Sequence, residues 1–128
     1  MEILIVEDNA RFRDMLSATL QSGFPFARIV TAPEGDTALR QIGERQPDVI
    51  FMDIRMPGKN GIVLTREIKQ QYPKIVIIVL THLDASEYRE AAFASGASFF
   101  LSKESVTIED IQKLIETIST EPLKPPNH

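Results

Sequence analysis

The sequence predicts an α/β fold, a parallel sheet with helices on both of its faces. Five short runs are rich in β-branched and other apolar residues, and three of them lack any polar alternation. Runs of that kind are strands covered on both sides. Stretches with helical spacing lie between them, so strand and helix alternate five times. That alternation is the signature of a doubly wound sheet.

The strands are expected at Ile3–Val6, Ala27–Val30, Val49–Met52, Ile75–Leu80 and Ser98–Leu101. In the first helix Phe12, Met15, Leu16, Thr19 and Leu20 form one apolar stripe, with Asn9 as N-cap and Gly23 as stop. Pro33 marks the start of the second, whose apolar face is Ala38, Leu39 and Ile42. The third carries Ile62, Leu64 and Ile68 and closes before Pro73. The fourth carries Tyr88, Ala91, Ala92 and Ser95 and stops at Gly96. The fifth carries Ile108, Ile111, Leu114, Ile115 and Ile118. From Glu121 the run Glu-Pro-Leu-Lys-Pro-Pro reads as an extended tail or the start of a linker, giving one domain over residues 1–120 and a Pro-rich segment over 121–128.

A chain of 128 residues suits one domain with a real core. The absence of cysteine excludes a disulfide framework, a zinc-thiolate site and a cysteine nucleophile. The first apolar run has no basic flank before it, unlike a signal peptide, and the stretch Ile75–Leu80 is far too short to span a bilayer. A cytoplasmic protein without membrane association is expected. The net charge of −4 argues against direct nucleic-acid binding by this domain.

Ligands of doubly wound sheets bind beyond the carboxyl ends of the strands. There the sequence places Glu7 and Asp8 after the first strand, Asp53 after the third, Thr81 and His82 after the fourth, and Lys103 near the end of the fifth. Crowded carboxylates favour a proton or a bound cation, and a hard divalent ion with oxygen ligands is the natural relief. An aspartate is also a competent nucleophile toward a phosphoryl group, whose charge a lysine and a cation would spread. Each residue alone has a plainer reading. A single Asp after a strand is most often a turn residue, Thr81 a helix cap, Lys103 a surface lysine, His82 a loop residue, and Gly58 and Gly61 parts of a turn. Four independent strand ends that each supply the needed group shift the balance.

In their order and spacing these segments resemble the receiver domain of bacterial two-component response regulators. The elements are Ile-Val-Glu7-Asp8-Asn9, then Pro47-Asp48 through Asp53-Ile-Arg-Met56-Pro57-Gly58-Lys-Asn-Gly61, then Val79-Leu80-Thr81, Ala94-Ser95-Gly96-Ala97 and Phe100-Leu-Ser-Lys103. The resemblance runs from Met1 to about Thr120. It implies a flavodoxin-like sheet of order 2-1-3-4-5 with five helices. It further implies that Asp53 is the phosphoacceptor and that Asp8, Asp53 and the backbone carbonyl of Arg55 ligate Mg2+, with Mn2+ as a substitute. Glu7 resembles the acid that holds the ion through water, Lys103 the lysine that contacts the phosphoryl group, and Thr81 and Phe100 the switch pair. A sensor histidine kinase or phosphotransfer protein is the implied donor. The implied output surface is helix four, strand five and helix five, which could also form a homodimer.

Two departures sharpen the expectation. Many receivers have a cis proline after the lysine, whereas Glu104 follows here, so a trans bond is expected. The wording Phe-Leu-Ser-Lys-Glu-Ser looks most like receivers that precede a LuxR-type DNA-binding domain, which this chain does not include. Arg55 and Leu83, two residues past Asp53 and Thr81, occupy positions that tune phosphate lifetime in the family, and slow autodephosphorylation is expected. The alternatives are a stand-alone phosphorelay or protein-binding receiver, and a Mg2+-dependent phosphohydrolase with an aspartyl-phosphate intermediate. Against the latter, Arg55 stands where such enzymes place a second Asp.

Overall fold

Successive residues of a strand point to opposite faces, so a strand apolar at every position needs cover on both sides. The computed structural model describes residues 1–82 and 86–123, with side chains as far as Ser119. Its elements are β1 (Glu2–Val6), α1 (Ala10–Gly23), β2 (Arg28–Ala32), α2 (Gly35–Glu44), β3 (Val49–Met52), α3 (Gly61–Gln71), β4 (Val76–Thr81), α4 (Ser86–Ala94), β5 (Phe99–Ser102) and α5 (Ile108–Leu123). The strands are all parallel, in the order β2-β1-β3-β4-β5. Fold class and strand order are those the sequence and its resemblance imply.

The alternation divides the interior into two cores. Leu4, Val6, Ile50, Met52, Ile77 and Val79 face one side, against Ala38 and Ile42 of α2, Leu64 and Ile68 of α3 and Ala92 of α4. Ile3, Ile5, Val49, Phe51, Ile78 and Leu80 face the other, against Leu16 and Leu20 of α1 and Ile111 and Ile115 of α5. Each Val, Leu, Ile, Met or Phe side chain among them, taken fully out of water, contributes about 1.5–3 kcal/mol. Among the described residues no helix is long and apolar enough to cross a membrane.

Several boundaries differ from the sequence reading. β2 starts and ends later, because the Ala27 N–H turns back to the Phe24 carbonyl while Thr31 and Ala32 pair with Ile5 and Val6. β4 and β5 are each displaced by one residue, so that Thr81 closes the ladder opposite Ser102. Pro33 does not begin α2. The Glu34 carboxylate accepts from the Thr37 N–H at 2.7 Å and caps the helix there, which leaves Pro33 ahead of the cap. α1 starts as expected, with the Asn9 side chain accepting from the Phe12 N–H. α5 is capped reciprocally by Thr107 and Asp110, each accepting from the other's N–H at 3.0 Å. It also continues to Leu123, three residues into the expected tail. Pro122 supplies no N–H, a loss confined to the final turn, where helix ends vary by a residue or two. Residues 124–128 of the tail lie outside the described residues.

Candidate functional site

Register brings the site together. Val6 pairs with Met52, Met52 with Val79 and Val79 with Phe100, so the residues that follow emerge at one edge of the sheet. The Glu7 N–H donates to the Ala32 carbonyl at 3.0 Å, the Asp53 N–H to Val6 at 3.1 Å and the Lys103 N–H to Thr81 at 2.9 Å. These backbones are thus continuations of the sheet ladder. Between them opens a cleft of about 850 Å³, whose lining includes Glu7, Asp8, Asp53, Arg55, Thr81 and Lys103.

Lys103 ties the cleft together. Its ammonium lies 2.6 Å from Glu7 Oε1 and 3.4 Å from Asp53 Oδ2, and its side chain is only 3 % exposed. Glu7 Oε2 accepts from the Asn9 N–H at 3.0 Å, and the Glu7 carbonyl accepts from Arg13 at 2.9 Å. Asp53 Oδ1 accepts from the Ile54 N–H at 2.8 Å. Burial pushes the Glu7 carboxyl above its usual range and the nearby Asp53 charge adds to this, against the lowering effect of Lys103 and the Asn9 N–H.

Glu7, Asp8 and Asp53 each offer a carboxylate oxygen, and these oxygens lie within 4.8 Å of one another. Two oxygens on one octahedral Mg2+ stand about 3 to 4.2 Å apart, given ligand distances of about 2.0–2.1 Å. Small rotamer changes suffice to close that difference. Charge agrees in sign with distance: the three carboxylates crowd together, with the Lys103 ammonium ion-paired to Glu7 and Asp53. The donor set, hard and all oxygen, therefore fits Mg2+.

The loop after Asp53 depends on a glycine. A Cβ on Gly61 would stand 1.9 Å from the Asp53 carbonyl oxygen and 2.9 Å from Ile54 Cα. The Gly61 N–H also donates to the Ile54 carbonyl at 2.7 Å. The start of α3, capped by Asn60 through the N–H groups of Ile62 and Val63, is thereby pressed against the backbone of Asp53 itself. A turn at Gly61 is what its neighbours in sequence suggest; the close approach to Asp53 carries no local signal.

The remaining expected residues fall around the cleft. Thr81 is 1 % exposed at its floor. Arg55 is exposed on its wall, and Leu83 lies outside the described residues. Phe100 is buried two residues before the end of β5, with the Arg89 guanidinium 4.8 Å from its ring centroid. His82 pairs with Glu104 at 3.0 Å on the exposed rim. Among the described residues no peptide bond is cis, as expected for Glu104 after Lys103. One contact had no signal in the sequence. Phe12, which looked like a member of the α1 core stripe, places its ring centroid 4.3 Å from the Lys103 ammonium.

The family model described as the response regulator receiver domain matches residues 3–117. The transcriptional regulatory protein DegU of Brevibacillus brevis is 33 % identical over 118 residues, covering 92 % of this chain and 48 % of its own. The oxygen regulatory protein NreC of Staphylococcus haemolyticus is 33 % identical over 104 residues, covering 80 % and 48 %. The chain thus spans about half the length of the curated relatives it matches. Among solved structures, the signal receiver domain of the DNA-binding response regulator merR from Colwellia psychrerythraea 34H superposes with a TM-score of 0.87 at 28 % identity, covering 93 % of this chain and 98 % of that one. The chemotaxis protein CheY4 of Vibrio cholerae gives 0.82 at 28 % identity, covering 91 % and 97 %.

Proposed function

Because the chain belongs to the response regulator receiver domain family, we propose that it accepts a phosphoryl group on Asp53 from a phosphohistidine of a partner protein and thereby switches an output surface. The observation that carries this reading is the buried Lys103 ammonium held against the Glu7 and Asp53 carboxylates that line the cleft with it.

An Asp53 carboxylate oxygen attacks phosphorus in line. The new O–P bond forms as the P–N bond breaks, and the departing imidazole keeps the electron pair. Lys103 already lies at Asp53 and needs only to follow the transferred oxygens, whose charge it offsets. Asp8, Asp53 and the Arg55 carbonyl, with Glu7 acting through water, would hold Mg2+, which when bound neutralises charge on the phosphoryl oxygens. The Ile54 N–H donor orients Asp53 throughout. Phosphorylation adds about −1.5 to −2 charge and three strong acceptors. Thr81 then turns its hydroxyl to one of those oxygens, and Phe100 repacks behind it. Through β5 this alters the surface of α4, β5 and α5, a two-state element biased by a local charge event. Arg55 on the cleft wall hinders an attacking water, and slow autodephosphorylation follows; a phosphoryl half-life of seconds in Mg2+ buffer would contradict it.

The module signals and does not turn over a substrate. Its donor is a sensor histidine kinase or phosphotransfer protein in the cytoplasm. DegU, a transcriptional regulatory protein of which the match covers 48 %, favours transcription as the output, through a DNA-binding region beyond the receiver. Dimerisation through the α4-β5-α5 surface would couple the switch to that region. The test is direct: incubation with acetyl phosphate and Mg2+, followed by intact mass. Wild type is expected to gain one phosphoryl mass and Asp53→Ala none. A wild type without added mass would sink the proposal.

A further inference from the structure

We propose that Phe12 is a positioning residue for Lys103, its ring face holding the ammonium in place over Asp53 when the carboxylates turn to a cation. The inference rests on the reading of Asp53 as phosphoacceptor and deepens it.

A lysine ammonium is a point charge on a flexible four-carbon stem, so its location must be imposed by what surrounds it. Three described groups surround this one: Glu7 at 2.6 Å, Asp53 at 3.4 Å and the Phe12 ring at 4.3 Å from its centroid. The first two belong to the carboxylate trio that fits a divalent cation. Any cation drawn to that trio competes with the ammonium for the same oxygens and weakens the shorter of the two ion pairs. The ring offers no oxygen and does not enter that competition. It is the one of the three contacts that persists unchanged through cation binding and phosphoryl transfer.

The ring is also well anchored. Phe12 stands in the first turn of α1, where its N–H donates to the Asn9 side chain at 2.8 Å. Asn9 in turn donates its own N–H to Glu7. The helix cap, the acid and the ring are therefore fixed relative to one another within six residues of chain. With the lysine side chain 3 % exposed, water is nearly excluded. Cation–π attraction is strongest under that condition. A plain apolar wall would fill the same space without directing a charge, and the two roles separate on substitution.

The experiment compares wild type, Phe12→Tyr and Phe12→Leu. Leu keeps apolar bulk and loses the ring; Tyr keeps the ring. At saturating Mg2+ the rate of phosphoryl uptake from acetyl phosphate is expected to stay near wild type for Tyr and to fall about tenfold for Leu. The thermal midpoints should stay close. A second readout needs neither cation nor phosphodonor. In wild type the Lys103 ε-methylene protons, assigned by their loss in Lys103→Arg, should resonate upfield of the other lysines through the ring current, and that displacement should vanish in Phe12→Leu. Equal uptake rates for Leu and wild type, or unshifted Lys103 protons in wild type, would overturn the proposal. If wild type gains no phosphoryl mass, the reading of Asp53 fails, and the proton shift still decides whether Phe12 holds the lysine.

Discussion

Replacing Gly61 with alanine should damage the fold and the site together, and the structure sets the size of the effect. The new methyl carbon would stand 1.9 Å from the Asp53 carbonyl oxygen. Ordinary carbon–oxygen contacts begin at about 3.3 Å, so about 1.4 Å must be recovered. The neighbours are backbone, and both sides are pinned. Gly61 donates to Ile54 at 2.7 Å, and Asp53 donates to Val6 at 3.1 Å. Overpacking of this kind costs about 3 kcal/mol, the upper end of its usual range, because no side chain can swing away. For a domain of this size that lowers the thermal midpoint by roughly 10–15 °C. A displacement of Asp53 by about 1 Å slows phosphoryl uptake by about a hundredfold. Circular dichroism melting and acetyl phosphate labelling read the two effects. Gly43 supplies the internal control: nothing lies within 4 Å of its added Cβ, and it sits inside α2. Gly43→Ala should therefore stabilise by about 0.5–1 kcal/mol. A Gly61→Ala protein that melts and labels like wild type would refute the close-approach argument.

Other substitutions and conditions follow from the same geometry. The Asn60 side chain accepts from two N–H groups at 2.9 Å, so Asn60→Ala should cost about 1 kcal/mol in chemical denaturation. The Lys69 ammonium donates to the Pro73 and Ile75 carbonyls at 2.7 and 2.8 Å, and Lys69→Met, which takes the donor from the part-buried Ile75 carbonyl, should cost about 1 kcal/mol by the same assay. Glu7 is protonated more readily in the folded protein than its ordinary value of 4.5 allows, chiefly through burial. The folded state thus holds an extra proton between 4.5 and the raised value, and stability without cation falls as pH rises through that window. Mg2+ competes with that proton, so its stabilising shift of the thermal midpoint should grow as pH rises through the window and level off above it. A shift equal at both ends of the window would contradict this role for Glu7.

Much of this was legible in the sequence, because strand and helix periodicities are local. Val49–Met52 could be read without error, being apolar at every position and bounded by polar residues on both sides. The ends of β2 and β4 were not, since whether Ala27 or Thr81 belongs to a ladder depends on its partners, Phe24 in one case and Ser102 in the other. That Asp53, Glu7 and Lys103 meet was legible because strand ends converge by topology. Their arrangement, with the lysine closer to Glu7 than to Asp53, is set by side-chain packing that no local pattern encodes. Phe12 was hidden for a different reason. An aromatic at a core-stripe position gives no sign that it meets a cation 91 residues away in the chain.

The aligned row that runs through Val6, Met52, Val79 and Phe100 carries an implication for how such a chain can vary. The components of the site are held in step like graduations on a vernier, each offset by a fixed number of residues from a shared row. Inserting or deleting one residue within a strand would move its graduation by about 3.3 Å and turn its side chains to the opposite face. Helix surfaces and the loops at the far end of the sheet stand outside this scale and are free to drift. Length changes should therefore be tolerated there and selected against inside the strands, whatever partner the outer surfaces come to serve.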